Sequence, residues 1–368
     1  MSQLLAERPQ GPELRAVRAG GRRLRVLRTP GGAVALRVDP RTAAVCGVLT
    51  VLLLVVAVLG VGTGDYPLSP GEVVRTLLGG GDQSSAFIVE TLRLPRVLCA
   101  LLVGGSLGLA GAIFQTLTRN PLGSPDVVGF TYGSATGAVA AITLAGADGA
   151  AVSAGAIGGG LATAALVLAL AWRHGIQGYR LVLVGIGLGL LLRSVTDYLL
   201  TRARYEDAVT SVVWITGSLN GRGWEDVRPL ALALVVLLPA TLLLARTLRT
   251  LELGDDLARA LGAPVERGRV ALVAVAVALT AVATAAAGPI AFVALAAPQI
   301  ARRLTGAPGP NLVPAMLTGA LLLEASDLAA QRIWPGRDLP VGVVTGVVGG
   351  LFLCWLLGRE WRGRRRTG

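Results

Sequence analysis

Residues 43–63 read AAVCGVLTVLLLVVAVLGVGT, an unbroken apolar stretch without a charge. A helix needs about 20 apolar residues to cross the hydrocarbon core of a bilayer. This stretch therefore decides the class: an integral membrane protein. Nine further apolar runs follow, at 96–117, 126–147, 149–172, 179–200, 228–246, 269–288, 290–304, 311–331 and 340–358. The run at 290–304 is short and contains Pro298. The expected architecture is an all-α membrane protein of about ten transmembrane helices. Residues 1–42 are expected to be a disordered Arg/Gly-rich tail, 43–358 the transmembrane domain and 359–368 a second basic tail.

Orientation comes from the basic residues. All 34 of them are Arg, in a chain of 368 residues with a formal charge of +12. With the N-terminus in the cytoplasm, 24 Arg fall on the cytoplasmic side, nine outside, and Arg193 within a span. Cytoplasmic loops carry the excess of basic residues, so both termini are expected to be cytoplasmic, with an even number of spans. The charge is thereby explained by membrane topology, and no nucleic-acid partner is expected. The basic N-terminal tail is expected to lie along the membrane surface. Arg22-Arg23 is not expected to be an export signal, since the apolar run begins about twenty residues later. That run is too long, and too far behind a polar tail, for a cleavable signal peptide.

Composition excludes several chemistries. Without Lys there is no P-loop lysine and no Schiff base. One His (His174) and three scattered Cys (Cys46, Cys99, Cys354) assemble no metal site and no Cys–His nucleophile. No cofactor and no metal site are expected. The 50 Gly are about twice the usual share. In lipid, helices associate through small residues that let backbones approach. Gly104, Gly105, Gly108 and Gly111, then Gly155, Gly158, Gly159 and Gly160, are expected to pack in this way. So are Gly185, Gly187 and Gly189, and finally Gly342, Gly346, Gly349 and Gly350.

Ionisable residues inside spans are functional candidates by default. Arg193 and Asp197 stand at i,i+4 and could neutralise each other. Glu324 and Asp327 share a face, with Glu324 the deeper. Between the second and third runs, Thr116 to Asp126 (TLTRNPLGSPD) reads as a tight turn, in which Ser124 or Asp126 can cap the next helix. In the longest cytoplasmic loop, Leu253 to Pro264 (LGDDLARALGAP) reads as a short amphipathic helix. Asp255 and Asp256 sit in its first turn, where the helix dipole favours them. Gly262 and Pro264 end it. Leu253, Leu257, Ala260 and Leu261 share an apolar face. Such a helix suits a groove on a partner or the membrane interface.

Taken together, these segments resemble the permease subunits of type II ABC importers for ferric siderophores, haem and vitamin B12. The motifs that carry the resemblance are Leu92-Arg93-Leu94-Pro95-Arg96, Gly111 to Gln115, Arg119 to Asp126 with Gly129, and Trp214 to Leu219. Leu253 to Gly262, Gly288 to Leu295 and Leu339 to Val344 complete the series. It spans roughly 45–358, and Gly217 to Gly221, Leu251 to Asp256 and Val265 to Arg267 look most like the ferric-enterobactin permeases. The resemblance implies a permease, not an enzyme, in the cytoplasmic membrane of a bacterium. Its implied partners are a second, homologous permease (a heterodimer), an ABC ATPase dimer, and a periplasmic or lipid-anchored binding protein that delivers the ferric siderophore. It assigns docking of that protein to Arg93 and Arg96; the usual third Arg is Gln331 here, with Arg332 beside it. The coupling helix that meets the ATPase is matched by Leu253, Gly254, Asp255, Asp256, Leu257, Ala258, Leu261 and Gly262. Path or gating positions are matched by Gln115, Asn120, Pro121, Gly288, Pro289, Pro298 and Gln299. Gln299 replaces a family His, and Gly349-Gly350-Leu351 replaces a Gly-x-Pro. Two rival readings come from the residues alone. One is an ion-coupled secondary transporter using Arg193, Asp197 and Glu324. The other is an intramembrane hydrolase using Ser134 or Ser218, which lacks a His or Lys base.

Overall fold

The computed structural model describes residues 14–19, 22–28, 35–172, 178–333 and 339–364. Every apolar run read from the sequence coincides with a helix. In chain order these are α1 (Pro40–Gly62), α4 (Leu94–Thr118), α5 (Phe130–Ala145), α6 (Gly149–Ala171) and α7 (Gly178–Arg202). They continue as α9 (Trp224–Glu252), α11 (Val265–Ala287), α12 (Val293–Thr305), α13 (Leu312–Ile333) and α14 (Val341–Arg364). Four short helices fill the turns: α2 (Pro70–Leu77), α3 (Gln83–Ala86), α8 (Tyr205–Thr216) and α10 (Asp255–Ala260). Among the described residues, seven helices are long and apolar enough to cross a membrane; Phe130–Ala145 and Val341–Trp355 are shorter apolar helices. Helix α12 has only 13 residues, with Pro298 inside it.

Local chemistry sets the helix ends. Asp39 caps α1, its carboxylate accepting from the Arg41 N–H at 3.0 Å, with Pro40 in the first turn. Ser69 and Glu72 form a reciprocal capping box on α2. Between α3 and α4, Phe87–Arg93 forms a π-helical turn, and the Leu94 N–H reaches back to the Val89 carbonyl. Pro95 has no N–H to give, and its ring crowds the carbonyl four residues back. The wider turn relieves both problems and delivers Arg93 and Arg96 to the same end of the bundle.

Helix α4 is the axis, packed by α13, α11, α12 and α9. Its glycines make this possible. A Cβ on Gly104 or Gly108 would overlap the backbone of α13 at Gly319 and Ala315, and one on Gly111 would overlap the Ala294 carbonyl of α12. Gly133 and Gly137 of α5 meet Gly159 and Gly155 of α6 in the same manner. The expectation from sequence is too broad elsewhere. Gly158, Gly187, Gly346 and Gly350 have open space beside them among the described residues, so no helix crossing rests on them there.

Two further expectations are corrected. Ahead of α1, where a disordered tail is expected, β1 (Leu14–Ala19), β2 (Arg22–Arg28) and β3 (Ala35–Val38) pair as an antiparallel meander in that order. The stretch from Leu24 to Val26 alternates apolar with Arg, the period of a strand, which a search for helical period misses. The all-α architecture holds for residues 40–364. The second correction concerns α5, which begins only at Phe130, after Gly129 at φ +84°. Ser124 and Asp126 therefore do not cap it. Ser124 instead closes a turn with Val127 and Val128, and the Asp126 carboxylate accepts from the Thr131 hydroxyl at 2.7 Å.

Candidate functional site

The matched residues fall into three places along the bundle. At the end reached by the π-turn, Arg96 from α4 makes a two-pronged ion pair with Asp327 of α13, at 2.8 and 2.9 Å. The same guanidinium donates to the Asn220 amide oxygen at 2.7 Å, and Gln331 donates to Asp327 at 2.8 Å. The planar fork of Arg fits a carboxylate in this bidentate way. Side-chain exposure is 17% for Arg96 and 1% for Asp327, so this cluster is satisfied within the chain. Arg93 and Arg332 both go to the turn after α1. Arg93 donates to the carbonyls of Val61 and Tyr66 at 3.0 and 2.7 Å, and Arg332 donates to the Thr63 hydroxyl at 2.9 Å. Arg332 is exposed and Arg93 half-buried. A cavity of about 320 Å³ lies under this turn, lined by Gly62, Thr63, Gly64, Pro67 and Arg332 among others. Sequence reasoning missed Asn220 and Gln331 as partners. The i,i+4 spacing of Asp327 and Gln331 was the available signal.

In the last turn of α4, Gln115 donates to the Leu295 carbonyl at 2.9 Å, and Gln299 of α12 donates to the Gln115 side-chain oxygen. Gln299 also reaches the Pro121 carbonyl at 3.4 Å. Gln115, Pro121 and Gln299 are thus brought together. Asn120 shapes the turn, its side chain accepting from the Leu122 N–H at 2.9 Å. Pro298 is buried beside Gln299. Gly288 and Pro289 stand apart, at the break between α11 and α12, where Gly288 has φ +74° and Phe292 φ +68°. That break meets the turn after α8: the Ser218 N–H donates to the Ala287 carbonyl at 2.9 Å, and the Gly342 N–H donates to Gly217 at 3.0 Å.

Beside the break lies a cavity of about 350 Å³ lined by Asp126, Thr131, Arg193, Asp197, Pro289 and Ala291, among others. A neighbouring one of about 360 Å³ shares Asp126, Tyr132 and Ala291. Arg193 and Asp197 are exposed on α7, and among the described residues no ion pair joins them. Their expected mutual neutralisation is therefore not what the helix adopts. Glu324 is 1% exposed, one of its oxygens pressed against Gly60. Among the described residues, no group of three or more His, Cys, Asp or Glu is placed to hold a metal.

At the opposite end, α10 forms as the sequence predicts. It is bounded by Gly254 at φ +107° and Gly262 at φ +76°. Ala258 turns inward and is fully buried, while Leu253, Leu257 and Leu261 are 57, 58 and 67% exposed. Of the three, Leu257 lies on α10 itself, while Leu253 closes α9 and Leu261 follows the last turn of α10. Asp255 anchors the helix by accepting from Arg119 at 3.0 Å and from Arg269 at 2.8 Å. Partial burial pushes the Asp255 carboxyl up, but the Arg269 hydrogen bond and the charges of Arg269, Arg119 and Arg259 outweigh it and hold the carboxyl below its ordinary 3.8. Asp256 and Glu266 both face Arg259, at 3.5 and 3.7 Å.

Long apolar helices, glycine-mediated packing and ionic joints at the two ends define a multi-pass membrane protein. The family model of the FecCD transport family matches residues 52–359. The chain belongs to that family and is a transport permease. It is 46% identical over 325 residues to the ferric enterobactin transport system permease protein FepG of Escherichia coli (strain K12), covering 88% of this chain and 98% of that protein. It is 42% identical over 310 residues to the achromobactin transport system permease protein CbrC of Dickeya dadantii (strain 3937), covering 83% and 88%. Among solved structures it superposes on a metal-chelate type ABC transporter in an inward-facing conformation with a TM-score of 0.75. That match is 29% identical and covers 86% of this chain and 99% of the other.

Proposed function

We propose that this chain is the permease subunit of an ABC importer that passes a ferric siderophore, of the catecholate class, from a binding protein into the cytoplasm. It crosses the cytoplasmic membrane of a bacterium ten times with both termini inside, beside a second homologous permease. The observation that carries the reading is α10. Three exposed leucines, on and beside a helix held from behind by Arg119 and Arg269, offer an apolar plug for a groove. Its partner is an ATPase dimer, because a chain without Lys has no P-loop of its own. The siderophore preference rests on the two relatives named above, both permeases for siderophores by name.

At the far end, Arg93 and Arg332 receive acidic residues of the binding protein, and Arg96 joins only by giving up part of its hold on Asp327. The Gln115–Gln299–Pro121 cluster at the end of α4 and the break at Gly288–Pro289 are the places where helices shift to open the path. Unwound backbone is tolerated at membrane depth where it lines a cavity, and the break with its left-handed Gly288 and Phe292 has that character. The test is uptake of a ferric catecholate by vesicles holding this permease, its permease partner, the ATPase and the binding protein. Uptake is expected to require ATP. Uptake driven by a proton or sodium gradient with no ATPase present would overturn the reading in favour of ion-coupled transport through Arg193, Asp197 and Glu324.

A further inference from the structure

We propose that Asp255 is a positioning residue that passes the movement of α10 into the end of α4 through Arg119. This inference rests on the importer reading above and names the internal route that such coupling takes. Helix α10 is seated on the bundle by the buried Ala258. It is six residues long and joined to α9 and α11 through Gly254 and Gly262. Both glycines have left-handed φ values, which side-chain-bearing residues rarely adopt, so the chain changes direction at each end of the helix. A helix of under two turns between two such bends needs side chains to tie its movement to its neighbours.

Asp255 is such a tie, and its two partners lie on different helices. Arg269 is buried on α11, with a side-chain exposure of 7%. Arg119 is the C-cap of α4, itself at φ +49°. One turn earlier, Gln115 accepts the Asn120 N–H on its backbone carbonyl at 3.2 Å, while its side chain reaches the Leu295 carbonyl and Gln299 of α12. A continuous set of polar contacts therefore runs from α10 through Asp255 and Arg119 to the end of α4, and from there to α12. Arg259, the one cation within α10, stays local: it pairs with Asp256 of the same helix and Glu266 of α11. Asp255 thus provides the side-chain ion pair from α10 to α4.

The experiment uses the whole complex in vesicles and reads siderophore moved per ATP hydrolysed, a ratio that a merely structural defect does not alter. Arg119 is half-exposed, so Arg119→Gln leaves folding intact. It is expected to lower the ratio about fivefold, the low end of coupling energies between sites, since the pair is partly solvated. Asp255→Asn is expected to do the same, and the double variant to fall no further, because both remove one link. A wild-type ratio in Arg119→Gln, or additive losses in the double variant, would overturn the proposal. So would a larger loss in Arg269→Gln than in Arg119→Gln, which would put the route through α11. If the unaltered complex moves substrate without ATP, the importer reading itself has failed, and that result is distinct from all of these.

Discussion

The two ends of this bundle use charge in opposite ways. At the Arg96 end, the guanidinium, the Asp327 carboxylate, the Asn220 amide and the Gln331 amide satisfy one another inside the protein. At the α10 end, Asp255, Arg119 and Arg269 pair behind the helix and three leucines are left exposed. The first arrangement is a joint that the chain closes by itself. The second is a surface completed by something else, because exposed leucines at the water-facing end of a membrane protein gain nothing until they are covered.

The largest expected effect tests whether the joint is closed. Asp327→Ala leaves the largely buried Arg96 with the Asn220 amide oxygen but no counter-charge, and breaking a buried pair from one side costs about 3 kcal/mol. Thermal unfolding in detergent should show that loss; an unchanged melting temperature would mean the pair is dispensable. Next comes the open surface. Leu257→Asp should leave the melting temperature nearly unmoved, within about 0.5 kcal/mol, since the residue is exposed. ATP-driven uptake should fall about tenfold or more, because an apolar anchor becomes a charge in the groove. If stability and uptake fall together, α10 belongs to the core and the contrast between the ends disappears.

The buried amide pair one turn in from the α10 end supplies a finer test. Gln115→Leu strands the Gln299 amide in a buried site, at about 1–3 kcal/mol, whereas changing both residues to Leu should cost less than the single change. Thermal melting of the single and double variants measures this. The smallest effect is a pH dependence. The Asp255 carboxyl is held below its ordinary value in the folded protein. Its contribution is therefore present above the unfolded-state value and lost as pH falls through the folded one. Wild type should lose less than about 1 kcal/mol through this group on acidification below pH 4. Asp255→Asn should remove that part of the acid sensitivity, and an identical acid profile in the variant would show that the pair contributes nothing to stability.

Much of the fold is legible in the primary structure because lipid imposes it. With no water to satisfy backbone groups, each run of about 20 apolar residues has a helix as its accessible form, and all ten runs are helical. Helix α10 is equally legible, since Asp255-Asp256 at one end and Gly262 at the other are local signals. Other features are not local. Arg96 and Asp327 lie 231 residues apart, and nothing near either one announces the other. Gly104 and Gly158 look alike in sequence, yet only Gly104 touches another backbone. The strands before α1 and the late start of α5 also escaped, the first through a period-two pattern within an Arg-rich tail, the second because Gly129 interposes a left-handed turn.

The sequence alone therefore determined the membrane class, the helical runs and the short helix between α9 and α11. Each is a one-dimensional property, set by hydropathy, charge position or capping chemistry. Only the tertiary structure decided which charges cancel, which glycines carry a helix crossing and which leucines remain uncovered. Those outcomes depend on which faces meet when α4 is enclosed by its neighbours, and that is a property of packing between segments far apart in the chain.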